Sequence, residues 1–216
     1  YKFYFDVTPS ITTNFSVSGV TEYNTVTGSP YLPTLSKIEL PDGTVYRFAY
    51  ETNAYGDYGH GLLKAMNLPS EDPTHSPSDI VYTYTNFADA QGNKQRWVNT
   101  MTTGGGTTTY TPTTCGTNCD KVTVTRPSGD ETTYKFSLNN GAWLTETKAY
   151  TGSASSGTLL TTVATDYDTS LSNPVVGSGA GFVRPTRTTA TIPGASGDLT
   201  SKTEATFDTF TYSYKG

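Results

Sequence analysis

Two glycines in this chain stand at one fixed distance from a pair of aromatic residues. Gly43 is followed five and seven positions later by Phe48 and Tyr50, and Gly129 by Tyr134 and Phe136. Each glycine closes a turn, Pro41-Asp42-Gly43 or Pro127-Ser128-Gly129. Proline presets the backbone for entry to a turn, and glycine accepts conformations that other residues resist. An apolar alternation precedes each turn: Ile38 and Leu40 before the first, Val122 and Val124 before the second. A period of two is the signature of a strand with one face set apart from the other. The spacing therefore predicts strand, turn, strand, twice over. A repeated hairpin builds surface, and it commits the chain to an antiparallel, all-β fold.

The rest of the chain supports that class. Tyr 16, Phe 9, Gly 21 and Pro 12 in 216 residues, with abundant Thr, leave few stretches suited to helix. β-Branched and aromatic residues fit a half-buried pleated surface. We expect strands in residues 1–34, where Tyr1, Phe3 and Phe5 alternate. A hairpin region follows over 35–168, a linker or long loop over 169–182, and C-terminal strands over 183–216. Leu62–Met66 is the one weak helix candidate, with Pro69 to end it. The hairpins are expected to form a sandwich or a short open stack of sheet.

Charge excludes some functions. Charged residues make up 15% of the chain and the net charge is −5. The fourteen basic residues are scattered, so nucleic acid is not an expected partner, because phosphate binding needs clustered Lys and Arg. No apolar run approaches the ~20 residues of a membrane helix, and no membrane insertion is expected. The chain opens at Tyr1 without a Met, and we read it as a processed, exported chain or a fragment. Cys115 and Cys119 enclose three residues. A disulfide there would pin a local loop, add about 2 kcal/mol by loop entropy, and place the chain in an oxidising, extracellular or cell-surface setting.

Candidate sites are few. No metal or cofactor site is expected: two cysteines do not complete a zinc site, and His60 and His75 lie at no useful spacing. Asp166 and Asp168 flank Tyr167 without a complete calcium loop, so solvated strand-end charges are the favoured reading. Val176-Gly177-Ser178-Gly179 lacks the elbow of a serine hydrolase, and no motif selects a carboxylate pair. An enzyme is not expected. Trp97 and Trp143 each adjoin a predicted strand and are candidate glycan platforms, against the favoured reading of packing at a hairpin end. Asn14-Phe15-Ser16 is a glycosylation sequon.

The hairpin residues resemble the RHS/YD-repeat family of bacterial proteins, whose pattern is a glycine, a Tyr-x-Tyr-Asp doublet and then Gly-Arg-Leu. Gly43, Phe48, Tyr50 and Glu51 match it with Glu for Asp, and Gly129, Tyr134 and Phe136 match again with Ser137 at the acidic position. Phe3-Tyr4-Phe5-Asp6 fits the doublet without the glycine, and Tyr82-Thr83-Tyr84 and Tyr212-Ser213-Tyr214 are weaker echoes. The resemblance implies extended sheets of stacked hairpins. Family members form toxin-enclosing shells or cell-surface adhesins.

A chain of hairpins leaves free sheet edges, and edges recruit other strands. Tyr1, Phe3 and Phe5 at one end, and Tyr212 and Tyr214 at the other, are the expected strand-exchange residues. The leading expectation is an exported structural subunit, non-catalytic, pairing with copies of itself into a fibre or sheath. The alternatives are an adhesion module that binds a cell-surface glycan through Tyr and Trp, and a piece of a longer RHS-type shell.

Overall fold

The structure, a computed structural model, describes residues 1–6, 34–51, 62–72, 74, 78–139, 141–171 and 182–207. Thirteen strands follow one another: β1 (Lys2–Asp6), β2 (Thr34–Glu39), β3 (Val45–Tyr50), β4 (Leu63–Met66), β5 (Ile80–Ala88), β6 (Lys94–Thr103), β7 (Gly106–Gly116), β8 (Cys119–Thr125), β9 (Glu131–Ser137), β10 (Trp143–Thr151), β11 (Thr158–Leu171), β12 (Phe182–Ile192) and β13 (Leu199–Glu204). All belong to one sheet, and the order in the sheet is the order in the chain. Neighbours are antiparallel throughout. The fold is all-β: an open antiparallel meander.

The turns explain why an open sheet forms and not a sandwich. Three of them share one geometry. Gly43 N–H bonds the Leu40 carbonyl, Gly92 N–H that of Asp89, and Gly129 N–H that of Arg126. The three glycines have φ of 87°, 83° and 86°. Each is a three-residue hairpin loop with glycine in the left-handed position. The residue two past each glycine pairs with the residue four before it: Val45 with Glu39, Lys94 with Ala88, Glu131 with Thr125. So tight a loop returns the chain directly beside the strand it left. Gly104 and Gly105 turn the chain in two residues, since Thr103 pairs with Gly106. A sandwich needs some strands to cross to a second sheet, and these loops are too short for that.

Some expectations need correction. Leu62–Met66 is no helix: Leu63–Met66 is β4, because Ala65 and Met66 are taken into ladders on both sides. The expected loop 169–182 is shorter at both ends. β11 continues to Leu171, which pairs with Phe182 of β12. Asn14, His60, His75, Ser178, Tyr212 and Tyr214 lie outside the described residues.

Extensive contacts among the described strands run only between ladder neighbours. Burial is correspondingly thin. Val45, Ala65 and Val122 are the buried apolar side chains among the described residues, and the most enclosed side chain is Asn67. Its Oδ1 accepts from Arg47 N–H, and its own N–H bonds the Arg47 carbonyl, so it locks β3 to the loop after β4.

Over β7–β9 the two faces differ in chemistry. Directly opposed residues share a face. Tyr110, Val124 and Thr132 stand in one row, and Pro112, Val122, Tyr134 and Thr147 in the next. The row continues through Val163, Ala190 and Ser201. The opposite face carries Thr111, Thr123, Thr133, Lys148, Thr162, Thr191 and Thr200. Over β7–β9 one face is aromatic and apolar and the other is threonine; beyond β9 the first face also carries Thr147, Thr165, Thr188 and Thr203.

Candidate functional site

The aromatic face is deepest over β7–β9. There the β5–β6 hairpin leaves its partner: β6 pairs with β7 only from Thr100 onward. Its free end brings Trp97 and Phe87 beside the face, with ring centroids 6.3 Å apart and edge to face. The result is a groove of about 510 Å³ lined by Trp97, Tyr110, Val122, Val124, Tyr134 and Phe136, with Arg126 and Pro127 at one end. A smaller hollow of about 110 Å³ shares Trp97, Val122 and Phe136 and adds Phe87, Leu138 and Asp120. Flat rings with polar edges at Tyr110, Tyr134 and Trp97 suit stacking against a planar or cyclic apolar surface. Arg126 Nη1 donates to Thr132 Oγ1 at 2.9 Å.

The hairpin tips hold the groove open. The Asp89–Asn93 tip folds toward β8, where Ala90 N–H donates to Asp120 Oδ1 at 3.0 Å. Burial pushes the Asp120 carboxyl up, the Ala90 bond opposes this, and the nearby Asp89 charge adds to the rise. Burial also pushes Asp89 up, but donors from Asn93, Gln91 and Gln95 outweigh it and hold its carboxyl below the ordinary value. Gln91 Nε2 reaches Asn118 Oδ1 and the Leu138 carbonyl. Asn118 Nδ2 donates to Asn139 Oδ1, and its carbonyl accepts from Leu138 N–H. Asn118 has a left-handed φ of 55°, in the turn that the Cys115–Cys119 disulfide spans with its Cα atoms 5.1 Å apart. The disulfide thus fixes the residue through which three neighbouring tips are joined.

The opposite rim is stitched in the same way. Asp130 Oδ1 accepts from Gly152 N–H, and Glu131 Oε2 from Ala154 N–H. The Gly106 turn lies so close to Pro127 that a Cβ there would sit 2.8 Å from the proline ring.

The structure places the sequence-predicted residues as follows. Phe48, Trp97 and Tyr134 each lie five residues past a glycine of the shared turn type. Only Trp97, Tyr134 and Phe136 line the groove; Phe48 stacks on Tyr46 at 6.5 Å, far down the sheet. Tyr50 donates its hydroxyl to the Leu35 carbonyl. Glu51 forms an ion pair with Arg96 at 3.0 Å, and the guanidinium lies 5.9 Å from the Tyr84 ring. Trp143 packs against Tyr167 and donates Nε1–H to the Asn139 carbonyl, folding onto its own turn. Asp166 pairs with Arg187. Tyr1, Phe3 and Phe5 are exposed along the outer strand β1. Among the described residues no group of acidic, His or Cys side chains is set to hold a metal.

The Asp89–Asn93 turn and Tyr110 have no place in the sequence reading. Ala90-Gln91-Gly92 has no proline, and the position seven past Gly92 is Asn99, so this third hairpin lacks the doublet. Its legible signal is Trp97, five past the glycine.

No family model, curated protein or solved structure matches this chain. The likeness to YD-repeat proteins rests on the residues named above.

Proposed function

We propose that this chain is a structural, non-catalytic subunit, exported and assembling with copies of itself by strand pairing into a surface fibre or sheath. The observation that carries this reading is the open sheet. Among the described residues β1 and β13 are its outer strands, and an unpaired strand edge is a template for another strand. A one-layer sheet, whose described strands touch mainly their ladder neighbours, also suits a wall better than a catalyst, and the Cys115–Cys119 disulfide suits an oxidising, extracellular setting. Kinship with RHS/YD-repeat proteins belongs to the same proposal. Electron microscopy of native material tests it: filaments or sheets are expected, and dispersed single particles at every concentration would defeat it. An intact mass far above that of 216 residues would instead favour a length of wall within a longer shell.

The groove favours one further reading, an adhesion module that stacks a sugar on Trp97 and Tyr134. On a glycan array, saturable binding abolished by Trp97→Ala supports it, and binding unchanged by that substitution excludes it.

A further inference from the structure

β1 reads Lys2-Phe3-Tyr4-Phe5-Asp6. Turned end for end, this strand complements itself. An antiparallel pairing centred on Tyr4 sets Lys2 opposite Asp6, Phe3 opposite Phe5, and Tyr4 opposite Tyr4. Opposite charges and aromatic pairs facing each other across a ladder are the favourable combinations.

The surrounding residues leave this strand ready for such a partner. Lys2 Nζ bonds Glu39 Oε1 at 2.6 Å, and the Tyr4 hydroxyl bonds Glu39 Oε2 at 2.8 Å. Lys37 Nζ sits 3.8 Å over the Tyr4 ring. These contacts hold Lys2 and Tyr4 on one face. The extra residue at the irregularity between β1 and β2 is Ser36 of β2, so β1 keeps its own alternation and Phe3 and Phe5 share the other face. Both are 59% exposed. Among the described residues nothing pairs with the outer edge of β1.

Strand direction limits how copies can join. Successive strands alternate and there are thirteen among the described residues, so β1 and β13 run the same way. A copy added by translation would put β13 parallel to the next β1. Flipping that copy end over end restores antiparallel pairing but turns its aromatic face over. A two-fold axis normal to the sheet keeps both the antiparallel pairing and the face, and such an axis joins like edges.

We propose that β1 pairs with β1 of a second copy about a two-fold axis at Tyr4. This rests on the assembly reading above and specifies its contact. The β13 edge offers a lesser equivalent: a pairing centred on Thr203 sets Lys202 opposite Glu204 and Thr203 opposite itself, but it brings no aromatic pair. A fibre then requires a second, weaker like-with-like contact at β13, and the β1 pair is its building unit.

Sedimentation across a concentration series, with cysteine variants on β1, tests the contact. The unaltered chain is expected to move from single to paired mass as concentration rises. Phe3→Lys, which puts a charge on an already exposed position, is expected to weaken pairing at least tenfold while far-UV circular dichroism stays unchanged. Directly opposed residues lie within disulfide reach. Tyr4→Cys should therefore link to itself on mild oxidation. Phe3→Cys should not link to itself but should link to Phe5→Cys when the two proteins are mixed. Assemblies that survive Phe3→Lys and give no Tyr4→Cys link overturn the β1 contact and leave strand-paired assembly standing. A chain that stays single at every concentration, with single particles in micrographs of native material, overturns both.

Discussion

Asp120 stands between β7 and β9, with Thr114 opposite it on one side and Phe136 on the other. Its carboxyl is pushed up chiefly by burial. A raised folded-state value means the native chain holds this proton more tightly than the unfolded chain does. The favourable contribution is complete below the ordinary value of 3.8 and is lost as pH rises through the folded value. The unaltered protein should therefore gain stability relative to Asp120→Asn as pH falls from 7 toward 4, which urea titration at several pH values reads directly. A difference that stays flat counts against the burial argument. Tyr84 makes the complementary case at high pH. Burial, then the Glu51 charge, then Tyr82 raise its hydroxyl to about 12 from 10.0. Stability from the neutral hydroxyl is present below pH 10 and is lost between 10 and 12, so Tyr84→Phe should blunt the alkaline loss in a thermal melt series.

At the scale of single elements, the turns decide most of what happens. Gly106 has φ 115°, and a Cβ on it would meet Pro127. Backbone strain and a rigid neighbour act together here, so Gly106→Ala should cost about 2 kcal/mol. Gly129→Ala strains the backbone without a clash, and it should cost less in the same denaturation assay. An equal cost at both positions would mean that contact between neighbouring tips adds nothing. The turns also show what a reader of the sequence can and cannot see. Pro-x-Gly followed by an aromatic at five residues is legible because one loop geometry fixes one register and one face. Ala90-Gln91-Gly92 makes the same loop without proline, and its partners Asp120, Asn118 and Leu138 are distant in sequence. The groove was half legible for the same reason. Trp97, Tyr134 and Phe136 stand out in the sequence, but Tyr110 joins them only through the register of β7 on β8. β4 is not legible, because four residues carry too little periodicity to separate strand from helix.

At the scale of the whole molecule, the described residues form one sheet whose strands touch mainly their ladder neighbours. Its stability is therefore spread along the sheet, in the manner of repeat proteins, and is not held in a central core. Two consequences are measurable. The urea m-value should fall well below that of a compact domain of equal length, because unfolding exposes less newly wetted surface. Amide protection should be greatest in β7–β11 and lowest in β1 and β13, grading outward and not switching at one boundary. A single sharp transition with uniform protection would show that something covers the aromatic face.

The strict alternation of strand direction sets a rule for how such a chain can lengthen. Inserting or removing one strand reverses every strand beyond it and moves each later tip to the other rim, where its stitching partners are absent. Inserting or removing a hairpin leaves direction, rim and face unchanged. Viable relatives of this chain should therefore differ in length by pairs of strands, and the natural unit of variation is the stretch from one left-handed glycine turn to the next on the same rim.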